Sequence, residues 1–172
     1  MYKITLIPGD GIGPEVAKAM TKVVEATGVN IEWEEVNAGE GVMEEYGTPL
    51  PSHVIDTIKK NKIAIKGPVT TPVGKGFRSV NVTLRQELDL YVNLRPVKSF
   101  KGIKSRYENV DLVIVRENTE DLYTGIEHKL GDYGAESIKI ITRGASERIV
   151  DFACNYVKDN KRNKLTAVHK AN

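Results

Sequence analysis

The sequence predicts an α/β protein with a largely parallel sheet, and three observations predict it. Short β-rich runs alternate with helical periodicities through the first ninety residues. Clusters of glycine and proline stand at the ends of the runs, where strands turn into helices. The run Asp111-Leu112-Val113-Ile114-Val115 is continuously apolar after its first residue, as in strands buried on both faces under crossover helices. Composition agrees: the 172 residues carry 25 Lys+Arg against 23 Asp+Glu, a net charge of +2, with 40% apolar residues. Such a chain has room for one domain or two small ones, at roughly 100–200 residues per domain. The charge balance sets up no basic field for a nucleic-acid backbone. No apolar run approaches the ~18 residues of a bilayer span. One cysteine makes neither an internal disulfide nor a cysteine-rich zinc site. Met1 leads into a strand-like run rather than a basic-then-apolar signal, so a cytoplasmic location is expected.

Taken in order, Lys3 to Ile7 reads as a strand that stops at Pro8-Gly9-Asp10-Gly11-Ile12-Gly13-Pro14. A helix follows from Pro14, with Val16, Met20, Val23 and Val24 at helical spacing and Gly28 as the stop. Ile31 to Val36 is a second strand. Helical stretches at 42–46 and 51–60 precede the apolar run Ile63-Ala64-Ile65 and a loop at Gly67 to Gly76. Ser79 stands where an N-cap belongs, opening a helix to about Glu87. In DLYVNLRP, apolar Leu90, Val92 and Leu94 alternate with Tyr91, Asn93 and Arg95 until Pro96 interrupts the ladder, a seam between domains. Polar residues 98–109 lead to the buried strand at Asp111. Tyr123 to Lys129 and Ala135 to Thr142 form the arms of a hairpin around Gly131-Asp132-Tyr133-Gly134. An amphipathic helix with Ile149, Val150, Ala153, Cys154 and Val157 on one face places Cys154 as a core residue rather than a nucleophile. Lys164 to His169 reads as a last strand.

The glycine turn lies between strand and helix as a dinucleotide-binding turn would. Its spacing fails the Rossmann fingerprint, because Gly13 falls two rather than three positions beyond Gly11. A plain tight turn is the simpler reading, although the turn stands where open α/β sheets bind their ligands. Three arginines, Arg85, Arg95 and Arg116, fall on or at the ends of predicted elements. Guanidinium forks match carboxylates bidentately, so the set suits an anion with several carboxylates. Ser79 and Asn81 add neutral donors on the same helix, Asn81 four residues from Arg85. Each arginine taken singly reads better as a surface ion pair or a strand-end snorkel, and for the set spacing alone leaves the two readings level. Tyr123 and Lys170 in isolation read as a core tyrosine and a solvated lysine. Glu117, Glu120 and Asp121 read as a capped turn rather than a metal site, because they show adjacency and not convergence.

The strings LIPGDGIGPEV, KGPVTTPVGKGFRSVNVTLRQELDLYVNLRPV, VRENTEDLYTGIEH and AVHKAN resemble the β-decarboxylating dehydrogenases, the isocitrate/isopropylmalate dehydrogenase family. Within it they look closest to the isocitrate enzymes. The likeness runs from Lys3 to Asn172 in the family's order. It implies the family's α/β, non-Rossmann fold, consistent with the failed fingerprint, and a chain incomplete at its C-terminus. Residues 1–97 would be the first part of the large domain, and 98–172 part of the small domain with its clasp hairpin.

By position, the resemblance implies that Ser79, Asn81, Arg85, Arg95 and Arg116 hold the substrate carboxylates. It implies that Tyr123 is the catalytic tyrosine, and that Lys170 is the catalytic lysine supplied to the partner subunit's active site. Thr70, Thr71 and Asn172 would line the nicotinamide. The polar pair Ser79 and Asn81 suits a third carboxylate better than a branched alkyl group, which points to isocitrate over isopropylmalate, with homoisocitrate left as an alternative. The implied reaction, that of the tricarboxylic acid cycle, oxidises isocitrate with NAD, favoured over NADP, and decarboxylates it to 2-oxoglutarate. Mg2+ or Mn2+ would assist as a Lewis acid. Its ligands would lie downstream of this chain, so the chain alone is expected to be inactive. A homodimer through the clasp is implied. A truncated, non-catalytic subunit that binds carboxylates or a partner remains the alternative.

Overall fold

The computed structural model describes residues 1–70 and 78–169. The chain divides into two compact units, Met1–Leu88 and Asp89–Asn172. The first holds β1 (Tyr2–Ile7), α1 (Gly13–Glu25), β2 (Ile31–Glu35), a 3-10 turn (Glu40–Val42) leading into α2 (Met43–Tyr46), α3 (Ser52–Asn61), β3 (Ala64–Lys66) and α4 (Val80–Glu87). The sheet is parallel in the order β2-β1-β3, with Leu6 opposite both Glu35 and Ile65. As its central strand, β1 is buried on both faces from Ile4 to Ile7, which is why KITLI does not alternate. Ile7, Ala38, Val54, Ile58, Val80 and Leu84 form the core, so α3 and α4 share one apolar cluster with β1. Thr5 enters that interior fully satisfied. Its hydroxyl donates to the Thr57 carbonyl at 3.3 Å and accepts from Asn61 Nδ2 at 3.0 Å.

The stripe expected on α1 is split. Gly13 and Ala17 are buried, whereas Val16 and Val23 lie exposed. The inward face of α1 is thus made by small residues, which let the helix approach closely.

The second unit is antiparallel, so the parallel sheet describes only the first. It holds β4 (Val92–Lys98), β5 (Asp111–Glu117), β6 (Asp121–Leu130), β7 (Gly134–Ile140) and α5 (Arg143–Asp159). Two two-stranded ladders result, β4-β5 and β6-β7. Pro96 does not end β4; it pairs with Val113 and the strand continues to Lys98. A strand with one partner has an open side on which a missing N–H is harmless. The boundary between the two compact units, at Leu88 and Asp89, precedes all of β4. Nor is β5 buried on both faces: Leu112 and Ile114 are exposed, because among the described residues one strand alone pairs with it. Residues 164–169, expected as a strand, form none, since no described strand offers them a ladder. Arg162 fastens the end of α5 to β5, its guanidinium 2.6 Å from Asp111 Oδ1. Among the described residues no helix is long and apolar enough to cross a membrane.

Candidate functional site

In the first unit the C-terminal ends of β1 and β3 meet. Asp10 N donates to the Pro68 carbonyl at 2.8 Å, and Gly67 N donates to Ile7 O at 2.8 Å. Gly9 permits this approach: its φ is +82°, and a Cβ there would sit on the Pro68 carbonyl oxygen. The glycine turn is accordingly a close-packing device between two loops. The Asp10 carboxylate then gathers three amides, Glu40 N at 3.0 Å, Gly41 N at 3.2 Å and Thr70 N at 2.7 Å. The exposed Thr70 thus stands on a loop tied by a carboxylate sixty residues away in sequence. Thr71 lies outside the described residues.

Ser79 is the N-cap residue of α4, as expected, but its hydroxyl makes no capping bond. Its carbonyl accepts from Thr83 N at 2.9 Å instead. Asn81 and Arg85 are half-buried, one helical turn apart, on a helix anchored by Val80 and Leu84. No pattern of residues pointed to Lys66. Half-buried at the end of β3, it donates to the Gly67 carbonyl at 2.6 Å. Burial, and then the nearby Arg85 guanidinium, push its pKa below the ordinary lysine value.

In the second unit the β4-β5 register sets Asn93 opposite Arg116 and Arg95 opposite Ile114. Side chains two apart share a sheet face, so Arg95, Asn93 and Arg116 lie on one face. Arg95 Nε donates to Asn93 Oδ1 at 3.0 Å. Arg116 Nη2 donates to the Tyr123 phenolic oxygen at 3.1 Å, with the guanidinium carbon 5.5 Å from the ring centroid. A cation able to hold a carboxylate thus stands against a hydroxyl able to give a proton. Lys170 and Asn172 lie outside the described residues.

The acidic run is occupied with structure. Glu117 accepts from the Thr119 hydroxyl at 2.6 Å and from Glu120 N at 2.9 Å. Glu120 accepts from Thr142 N at 2.7 Å and from its hydroxyl at 2.6 Å. Asp121 lies 3.4 Å from Lys139 Nζ. Burial raises the pKa of Glu117, but the Thr119 hydroxyl and the amides of Glu120, Thr119 and Asn118 outweigh it, and the net shift is downward. Among the described residues no group of three or more His, Cys, Asp or Glu side chains is placed to hold a metal ion.

The family model for isocitrate/isopropylmalate dehydrogenase matches residues 3–172. The chain belongs to that family. Among curated proteins it is 51% identical, over 99% of its length, to the "Probable isocitrate dehydrogenase [NAD] subunit alpha, mitochondrial" of Drosophila melanogaster, covering 45% of that protein. It is 45% identical, over 100% of its length, to the "3-isopropylmalate dehydrogenase, chloroplastic" of Solanum tuberosum, covering 48% of it. Among solved structures, isocitrate dehydrogenase from Methylococcus capsulatus matches with a TM-score of 0.87 and 54% identity, over 94% of this chain and 49% of that one. The isocitrate/isopropylmalate dehydrogenase-like α/β fold is therefore the right one, and the chain spans about half the length of the curated relatives it matches. The expected cytoplasmic location is overturned: the relatives named as NAD isocitrate dehydrogenase subunits are mitochondrial. Composition and the residues after Met1 carry no physical signal for a compartment, so that expectation had no footing.

Proposed function

We propose that the protein works in the oxidative decarboxylation of isocitrate to 2-oxoglutarate with NAD as oxidant, this chain carrying substrate-binding residues. The observation that carries the reading is the Arg116–Tyr123 pair, a carboxylate-binding cation 3.1 Å from a phenolic proton donor. In this reading Arg85, Arg95 and Arg116 hold carboxylates, with Ser79 and Asn81 as neutral donors. NAD supplies the hydride acceptor, beside Thr70, Thr71 and Asn172. Lys170, acting in the partner subunit's site, takes the hydroxyl proton as hydride leaves the same carbon. The β-keto acid then loses carbon dioxide, and Tyr123 gives its proton to the enol carbon.

Several features support the finer points. Isocitrate over isopropylmalate rests on the polar pair Ser79 and Asn81, with Arg85 one turn along the same helix. NAD over NADP rests on the relatives' names. Residues 1–97 and 98–172 correspond, in this reading, to portions of the large and small domains. Association through the β6-β7 hairpin rests on its exposed Leu122, Ile126, Leu130 and Ile138, with a second copy as the partner. Relatives named as subunits make a mixed assembly the competing arrangement. A non-catalytic subunit is the second reading, favoured by a relative from Dictyostelium discoideum, 49% identical, that is named a regulatory subunit.

The test is NADH formation by the purified protein with isocitrate and Mg2+ or Mn2+, comparing kcat/KM with 3-isopropylmalate and homoisocitrate. Isocitrate turnover that disappears in Lys170→Met supports the enzyme. A preference for 3-isopropylmalate overturns the reading of Ser79 and Asn81. Isocitrate binding without turnover moves the protein to the second reading.

A further inference from the structure

Arg116 and Tyr123 are held in two different ways. Arg116 sits in the regular β4-β5 ladder, opposite Asn93. Tyr123 lies where β6 loses its register: Asp121 pairs with Ile140, and pairing resumes only at Ile126 opposite Ile138. Such an irregular stretch re-aims its side chains. Asp121 at its start has φ +70°, a left-handed backbone uncommon for a residue with a Cβ, so the turn into β6 needs support from outside.

That support is a closed polar bracket around Asn118–Glu120. The Glu117 carboxylate accepts from Thr119 N at 3.0 Å through both oxygens, from the Thr119 hydroxyl at 2.6 Å and from Glu120 N at 2.9 Å. Buried Asn118 donates from Nδ2 to the Leu90 carbonyl at 3.1 Å. From α5, Arg148 Nη2 donates to the Thr119 hydroxyl oxygen at 2.9 Å and lies 3.9 Å from Glu117 Oε1. Its other nitrogen grips both Asp89 oxygens, at 2.9 and 3.2 Å, and its plane lies over Tyr91 at 4.6 Å. Glu120 fastens the far side of the loop to Thr142 at the start of α5.

We infer that Glu117, braced by Thr119 and Arg148, is the positioning residue that sets the Tyr123 hydroxyl against Arg116. The inference rests on the proposed role of Tyr123, but its structural half stands without it. Glutamate is needed rather than any polar group, because four donor contacts converge on its two oxygens. Glutamine has one oxygen and would turn an NH2 toward amides that also donate. Since the ladder and not the loop holds Arg116, loss of the bracket should spare substrate binding and damage proton delivery.

The experiment compares wild type, Glu117→Gln, Thr119→Val and Thr119→Ser in the purified protein carrying 3-fluorotyrosine, the Tyr123 resonance being assigned with Tyr123→Phe. The 19F signal of Tyr123 should shift or broaden in Glu117→Gln and Thr119→Val and return in Thr119→Ser, which keeps the hydroxyl. With isocitrate, kcat should fall about 10- to 100-fold in Glu117→Gln at nearly unchanged KM, the scale expected for misplacing a reacting group by about 1 Å. If wild type shows no turnover while the 19F signal behaves as expected, the positioning role stands and the functional reading fails. An unmoved Tyr123 signal in both Glu117→Gln and Thr119→Val, or KM rising with kcat unchanged, overturns the inference. Should Glu117→Gln not fold, the Thr119→Val and Thr119→Ser pair decides it.

Discussion

The two units hold their candidate residues by different physics. In the first, Asn81 and Arg85 ride on a helix whose Val80 and Leu84 are sunk in a shared apolar core. In the second, the fully or nearly buried side chains are few among the described residues, Asn118, Ala145 and Ala153. There Arg116 and Tyr123 are set by ladders, a carboxylate bracket and an arginine clamp. Burial of apolar area is non-directional and tolerant of chemistry, whereas a polar bracket is directional and fails when one partner changes. The difference teaches where each kind of substitution will act.

The sharpest break is expected in the first unit. Gly9→Ala sets a Cβ onto the Pro68 carbonyl oxygen at a left-handed φ, and should destabilise that unit by about 4 kcal/mol or more. Urea unfolding followed by Trp33 fluorescence reads it. Ile7→Ala, at a fully buried position, should cost about 2–5 kcal/mol by the same measurement. It should leave hydrogen exchange in β6 and β7 unchanged. In the second unit, Thr142→Ala removes the cap that accepts from Ala145 N at 3.2 Å, together with the Glu120 partner. It should cost about 1 kcal/mol, read as faster exchange in the first turn of α5. The smallest effect is one of pH. The pKa of Glu117 is lower folded than its ordinary value of 4.5, so its contribution is fully present above that value. It is lost as the pH falls through the folded-state value. Acid unfolding of wild type should therefore show a pH slope that Glu117→Gln flattens.

The two units were also unequally legible in the sequence. KITLI, the glycine turn and the hairpin around Gly131 carry their signals within a few residues, and each element formed nearly where expected. Burial was less legible, because it depends on partners that periodicity cannot see: Val16 and Val23 repeat at helical spacing yet lie exposed, as do Leu112 and Ile114 in an apolar strand. The strand expected at Lys164 to His169 failed for the same reason, as a strand exists only beside another. The assigned roles of Ser79, Arg85, Arg95, Arg116 and Tyr123 came from family resemblance, since spacing alone left each arginine an ordinary surface charge. Long-range polar ties were invisible. Asp10 reaches Thr70, and Glu117 and Thr119 meet Arg148, pairings made by the fold and not by neighbourhood.

In the proposed reading, Arg85 and Arg116 each bind a carboxylate of isocitrate. Calorimetric titration of isocitrate into wild type, Arg85→Met and Arg116→Met tests it most directly. Binding should weaken at least about tenfold in each variant, about 1.4 kcal/mol or more, with isocitrate preferred over 3-isopropylmalate in wild type. Affinity unchanged in either variant, or 3-isopropylmalate bound more tightly than isocitrate, would contradict it.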